Sequence, residues 1–467
     1  MRGNSQARAF FRGAAALLIL AMPALLWGQG LSQGQDFVAP APAPPRGLQV
    51  YSVSAYAVYY SSGFPDTVTF QPGIGTFESD LGLGASTRIG WQRMGKESSF
   101  SFLYAPSYTG RVRYAAWNFL NQSLSLTGSR KLARKWTLDV SASGNLTNLA
   151  ETFFSPTVFG SLASVPASFS DLAAAVLAGK FNNAQLAAIL TGAPLIESPG
   201  HNFLYGERML MASARTGLSY ARSPRLTIAL QAHGDRSQYI SDSANRSVFQ
   251  SAYLIPNTTS AGADLSASYS LSPRTQLGAT VGASRIVSAL QDSYITTSTG
   301  SVGRTMGRHW FLQVHGGVSV LSPVKQTIYY VLPSGPQPSG GGTLGFRTFS
   351  HTFLGSYDHT AGDAYGYGAV STDSVNASWN WKRPGRSWWV ECGLSQQRMQ
   401  GNGSGYGNMS NWRVSGGWGR RMSAQTALLA QYVYMRYAGV LQNSPYAFDQ
   451  SAVRVSVIWS PHPSLAR

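Results

Sequence analysis

The sequence predicts an all-β chain: a transmembrane antiparallel up-and-down β-barrel of about 16 strands, or 18, with a short helical insert in one extracellular loop. Three observations predict it. Apolar residues recur with period two in runs of about ten residues or more. Short basic turns alternate along the chain with long Gly/Ser/Tyr-rich connections. Tryptophan gathers beside those short turns and at the end of the last alternating run.

The period appears first in Asp80–Gln92. There Leu81, Leu83, Ala85, Thr87, Ile89 and Trp91 form one set, and Gly82, Gly84, Ser86, Arg88, Gly90 and Gln92 the other. Trp136, Leu138, Val140 and Ala142 alternate with polar residues in the same way, as do Trp310, Leu312, Val314, Val318 and Val320. Val453, Val455, Val457 and Trp459 repeat the pattern near the end of the chain. A tilted strand of ~10 residues crosses a bilayer core. One such run also suits a half-buried strand of a soluble sandwich; the repetition carries the weight.

Seven tight connections are short, polar and basic: Met94–Glu97, Ser129–Lys135, Arg222–Arg225, Ser272–Arg274, Met306–Arg308, Arg383–Arg386 and Arg420–Ala424. Pro and Gly set several of them. Longer loops fall near 61–77, 149–205, 241–257, 323–368, 401–408 and 439–447, with shorter ones near 114–117 and 291–296. Seven hairpins with a first strand Leu48–Tyr60 and a last Phe448–Trp459 give 16 strands. The pieces Thr327–Leu332 and Thr343–Tyr357 are either a structured outer loop or an added pair, which would make 18.

Trp91, Trp136, Trp310, Trp379, Trp381, Trp388, Trp389, Trp418 and Trp459, nine of the 12 tryptophans, lie within a few residues of a short turn or the last strand end. The indole ring is apolar with one wet N–H, so it prefers a membrane–water interface. An aromatic girdle of Trp91, Trp136, Trp310, Trp381, Trp388, Trp418 and Trp459 is expected at the turn end. A soluble sandwich would bury its tryptophans mid-strand instead.

Ahead of the barrel, residues 1–30 read as a secretory signal: Arg2, Arg8 and Arg12 precede the apolar stretch Ala14–Leu26, and Gly28 and Gly30 offer a cleavage site near 28–30. Residues 31–46 form a Pro-rich linker in extended geometry, 47–459 the barrel and 460–467 a tail. Within the loop 149–205, Asp171–Ala178 follows Ser170 and ends at Gly179, and Ala184–Leu190 follows Asn183 and ends at Gly192. Those caps mark the helical insert.

Composition narrows the function classes. Only 12% of residues are charged, about half the ordinary share, yet aromatics also make up 12%. Disorder needs the opposite balance. A single cysteine, Cys392, excludes a disulfide scaffold. The seven histidines show no metal-ligand spacing, no nucleophile elbow, P-loop or paired-glutamate signal appears, and no enzyme, metal or cofactor is expected. The formal charge of +17 is dispersed over the turns rather than gathered on one face, which argues against a nucleic-acid partner.

If the more apolar set of each strand faces lipid, the other lines the interior. The expected interior charges are Arg88, Arg111, Arg113, Arg215, Arg225, Arg413 and Arg454, against Asp139, Asp235, Asp264 and Glu391. This is a mild positive bias, and basic rings lower the barrier for anions. Arg285 breaks the rule, sitting on the apolar set between Ala283 and Val287, where it either snorkels at the outer rim or marks a bulge.

The signal at 1–30, the alternating strands, the turn-flanking tryptophans and the aromatic final strand Val453–Trp459 together resemble a bacterial outer-membrane β-barrel of the porin-like kind. The resemblance covers about 48–459. Eight further residues follow Trp459, where such barrels commonly end on a terminal aromatic. It implies an outer-membrane location, contact with outer-membrane lipid and the barrel-assembly machinery, and passive passage of small polar solutes, with anions as the hypothesis to test. A homo-oligomer, such as a trimer, is compatible with it. A polysaccharide export channel, a non-conducting adhesin or structural barrel and a barrel-embedded hydrolase are the competing readings.

Overall fold

A computed structural model describes residues 47–61, 79–113, 118–148, 208–240, 257–288, 292–325, 335–363, 369–382, 386–401, 409–441 and 444–461. The expected signal, the linker, most of the tail and the helical insert of the loop 149–205 lie outside the described residues. The described residues form eighteen strands. In chain order they are β1 (Leu48–Tyr60), β2 (Asp80–Met94), β3 (Ser98–Arg111), β4 (Phe119–Ala133), β5 (Trp136–Asn148) and β6 (Arg208–Ala221). Then follow β7 (Leu226–Ile240), β8 (Thr258–Ser272), β9 (Thr275–Ser288), β10 (Asp292–Met306), β11 (Trp310–Lys325) and β12 (Pro336–Arg347). The last are β13 (His351–Asp363), β14 (Ala369–Lys382), β15 (Trp388–Gly401), β16 (Met409–Arg421), β17 (Thr426–Leu441) and β18 (Ser444–Trp459).

Each strand pairs antiparallel with its sequence neighbours, and β1 closes on β18 with Val53 opposite Trp459 and Tyr60 opposite Ala452. Closure leaves no unpaired edge, which is the condition for strands to cross hydrocarbon. The count is the larger of the two expected. The added hairpin is β12–β13, joined by Thr348–Ser350, where the Thr348 N–H donates to the His351 carbonyl at 2.8 Å. Its start differs from the expected piece, since Thr327–Leu332 falls outside the described residues and Thr343–Tyr357 spans two strands and their turn. Six of the seven expected short turns lie among the described residues at their expected places, the Ser129–Lys135 connection narrowing to Arg134–Lys135 because β4 runs on to Ala133; residues 383–385 of the seventh lie outside the described residues.

Period two translates into two faces. In β8 the residues alternate half-buried and exposed for most of the strand: Ser260, Gly262, Asp264 and Ser266 lie inside, Ala261, Ala263, Leu265 and Ala267 outside. Large apolar side chains stand exposed around the wall, among them Leu83, Val140, Leu230, Val281, Val302, Val314, Val455 and Val457. An exposed apolar band of this extent would be an aggregation surface in water and is the lipid face of a membrane barrel.

The girdle tryptophans all fall on that outward set near the turn end. Trp91 packs on Phe100 at 5.5 Å, Trp136 on Tyr220 at 4.7 Å, Trp310 on Phe346 at 4.3 Å and Trp381 on Trp388 at 4.4 Å between ring centroids. Trp418 and Trp459 share the outward register with Val390 and Val53, respectively. From Trp388 to Arg398 on β15 is ten residues, which at ~3.3 Å per residue and ~40° of tilt is roughly 25 Å, the height of an outer-membrane barrel's apolar band. Closed wall, apolar band and aromatic ring place the protein in the bacterial outer membrane.

Candidate functional site

The inner wall is the candidate site, since it is where the polar set of every strand converges. It is mostly Ser, Thr, Gly, Asn and Gln, with hydroxyls bonded strand to strand. Ser54 and Ser86 are 2.6 Å apart, as are Ser101 and Thr127, and Ser143 and Ser213. Ser395 donates to the Asn376 side chain at 2.8 Å.

Register brings the expected interior residues to this wall unevenly. Arg88 lies on the inward set of β2, Arg111 at the end of β3, Arg413 on β16 and Arg454 on β18, a cationic sector around the β18–β1 seam. Arg215 stands alone on β6, opposite His233 of β7. Asp139, Asp235, Asp264 and Glu391 are inward on β5, β7, β8 and β15. Arg113 follows β3 at the outer mouth, where its backbone N–H donates to Asp80 at 3.0 Å and its Nη1 to the Ser79 carbonyl at 3.0 Å. Arg225 lies in the β6–β7 turn.

Two inward carboxylates escaped the reading of the sequence. Asp80, the first residue of β2, has its Oδ2 at 3.5 Å from Arg111 Nη1, with both side chains fully enclosed. Asp358 on β13 lies 3.3 Å from His315 Nε2. Asp80 opens the first alternating run ahead of the two sets that begin at Leu81 and Gly82, and Asp358 lies in the stretch expected as loop. With them the inner wall above its turn-end mouth carries Arg88, Arg111, Arg215, Arg413 and Arg454 against Asp80, Asp139, Asp235, Asp264, Asp358 and Glu391, while Lys131, Arg347, Lys382 and Arg421 register inward at that mouth. Above that mouth bases and acids are nearly equal in number and sided, with cations near the seam and Asp235, Asp264 and Asp358 on the far wall.

Packing differs around the ring. Near the seam Arg454 stacks on the Tyr56 ring at 3.8 Å and Arg111 on Tyr60 at 3.9 Å. Thr109 and Tyr56 hydroxyls are 2.7 Å apart, and Tyr56 donates onward to the Tyr108 carbonyl at 3.2 Å. On the far wall the ionisable groups are more open: His233 Nδ1 meets Asp264 Oδ2 at 3.1 Å with about a quarter of each side chain exposed.

Glycine is what lets these groups lie flat. A Cβ at Gly282 would fall 1.9 Å from Asp264 Oδ1, and one at Gly262 2.7 Å from His233 Nε2. Gly341 makes the same room for Asp358, Gly417 for Glu391 and Gly345 for Phe311. These inward side chains rest over bare backbone on the next strand, lying along the wall.

Outside the wall, Arg285 points to the lipid side with an unbroken register on both neighbours, so no bulge turns it inward. Cys392 is outward and exposed opposite Trp379. His351 and His359 lie on β13 rather than in a loop, His351 stacked on Trp379 and His359 bonded to Asp373 at 2.8 Å.

No family model matches the chain, and no curated protein does. Among solved structures, OccK2 (OpdF) of Pseudomonas aeruginosa in complex with glucuronate aligns with a TM-score of 0.42 at 10% identity, covering 89% of this chain and 98% of that one. A BenF-like porin from Pseudomonas fluorescens Pf-5 aligns at 0.42 and 10%, covering 88% and 98%. The siderophore receptor PirA of Pseudomonas aeruginosa aligns at 0.36 and 8%, covering 88% and 80%.

Proposed function

We propose that the protein is a passive outer-membrane channel for small polar solutes, with Arg88, Arg215, Arg413, Asp139, Asp264 and Glu391 lining its path, Arg111 and Arg454 enclosed in its wall against Tyr60 and Tyr56, and Arg113 at its mouth. The observation that carries this reading is a closed barrel of eighteen strands whose inner face is mostly Ser, Thr, Gly, Asn and Gln, with Val58, Leu103, Ile295, Phe311 and Met435 among its apolar inward residues. Barrels of 16–18 strands enclose an aqueous channel. The wall-hugging side chains over glycines keep polar groups at the surface of that bore. The chemistry is that of diffusion. Solutes exchange hydration for wall hydroxyls, and the cationic seam facing Asp235, Asp264 and Asp358 orients solutes that carry charge. In this reading the wall guides solutes and makes or breaks no bond.

Purified full-length protein in planar bilayers is expected to give discrete conductance steps. With near-balanced wall charge, the reversal potential in a tenfold salt gradient should stay within a few millivolts of zero. Replacing Arg413 and Arg454 together by Gln should shift it toward cation preference. A folded barrel with no conductance would sink the channel and favour the adhesin.

A further inference from the structure

One arrangement on the outside of the barrel has no part in conduction. At the long-loop end of the lipid-facing wall, the same three residue types meet in three places. On β9–β10, Arg285 holds Asp292 with two bonds, Nε to Oδ1 at 2.9 Å and Nη2 to Oδ2 at 2.6 Å, and its guanidinium lies 5.7 Å from the Tyr294 ring. On β13–β15, the Tyr357 hydroxyl donates to Asp373 Oδ1 at 3.0 Å, His359 Nδ1 lies 2.8 Å from the same oxygen, and Arg398 stands directly opposite Asp373 in the register. On β17–β18, Arg436 Nε lies 3.6 Å from Asp449, with Tyr434 two residues away on the same outward face of β17.

All three groups are outward, and Arg398 and Asp449 lie ten residues along their strands from Trp388 and Trp459. They therefore mark the outer edge of the apolar band. A lipid-facing charge costs ~2–4 kcal/mol at the bilayer midplane and ~0–1 near its surface, so this height is the one that tolerates them. At the turn end the outward arginines Arg93, Arg130, Arg304 and Arg420 have no carboxylate partner among the described residues. The carboxylate is thus specific to the outer surface. An arginine alone would suffice for a lone phosphate; a carboxylate beside it repels one, and suits a phosphate that arrives with a cation.

We propose that each Arg–Asp–Tyr group is a bracket for the phosphorylated headgroup of the outer-leaflet glycolipid together with its divalent counter-ion. The guanidinium edge that faces away from Asp takes the phosphate oxygens, the carboxylate takes the cation, and Tyr holds the Arg–Asp pair in place, by its ring at Tyr294 and by its hydroxyl at Tyr357. Arg and Asp suit these partners by planar donor geometry and by hard oxygen ligation. Three brackets spaced around the rim would fix the barrel's height in the outer leaflet. The inference rests on the barrel's place in the outer membrane and is independent of conduction.

Native mass spectrometry of the refolded full chain tests it, with bisphosphorylated lipid A as probe and Mg²⁺ present. The wild type should carry up to three lipid adducts that EDTA strips. Arg285→Gln, Arg398→Gln and Arg436→Gln combined should lose them, each site weakening about tenfold, as for loss of one charge-assisted contact. Arg93→Gln, Arg304→Gln and Arg420→Gln combined should retain them. Should the rim variant fail to show heat-modifiable gel mobility, Tyr357→Phe replaces it, with one adduct weakened. Equal retention by rim variant and wild type would overturn the proposal. So would equal binding of phosphate-free glycolipid or phosphatidylethanolamine, or adducts indifferent to EDTA. A chain that remained soluble without detergent would instead refute the membrane location itself.

Discussion

Asp80 shows how much one inward residue does in a thin wall. Its carboxylate accepts the Leu81 and Arg113 backbone N–H groups at 2.8 and 3.0 Å and faces the enclosed Arg111 at 3.5 Å. Breaking a buried pair by removing one charge is costly because the other charge stays buried. Asp80→Asn keeps an acceptor for the two backbone bonds and removes only the charge. It should lower stability by about 3 kcal/mol, read from urea unfolding in lipid vesicles. Gly282 acts through the space it leaves. Gly282→Ala puts a methyl group where Asp264 Oδ1 now lies, so the carboxylate must swing into the bore and part from His233. Channel recordings should show a shift toward cation preference with unchanged heat-modifiable mobility; an unchanged reversal potential would mean that the notch has no role in selectivity.

At the level of the strand, two faces obey different rules. Leu265 stands outward and exposed mid-way along β8, while Ile240 ends β7 at the outer rim. An arginine at Leu265 should cost ~2–4 kcal/mol and one at Ile240 ~0–1 kcal/mol, measured by the same unfolding assay. The hairpin β12–β13 carries a second lesson. Its turn, Thr348-Phe349-Ser350, lacks the Arg, Pro and Gly that announce the other seven, and Gly340, Gly341 and Gly342 blur the alternation of β12. Tertiary pairing decides it: Gln313 opposite Thr343 and Phe346 opposite Phe353 supply a ladder that the local sequence does not advertise.

For the whole molecule, strand number sets the bore. Deleting residues 332–363 removes one up–down pair and leaves β11 and β14 with antiparallel sense. A 16-stranded barrel that folds with smaller conductance steps is the expected result; steps of unchanged size would show that strand number does not limit the current. Net charge also changes meaning at this scale. A formal +17 suggests a basic interior, yet much of it sits at turns and on the outer surface, while the wall above its turn-end mouth is nearly balanced.

The architecture was legible in the sequence because a membrane barrel imposes a local rule on every strand: one face must suit lipid, the next water, and both periods and turns can be read from neighbours. Leu81 to Trp91, the tryptophan girdle and the inward positions of Arg88, Arg215, Asp139 and Asp264 follow from that rule alone. Tertiary structure decided what depends on register between strands distant in sequence. The partnership of Asp80 with Arg111, of His315 with Asp358, and of His359 with Asp373 each joins residues whose neighbours give no hint of the other. So does the resting of Asp264 over Gly282, because a side chain's cross-strand contact is fixed by pairing and shear, which no single strand encodes.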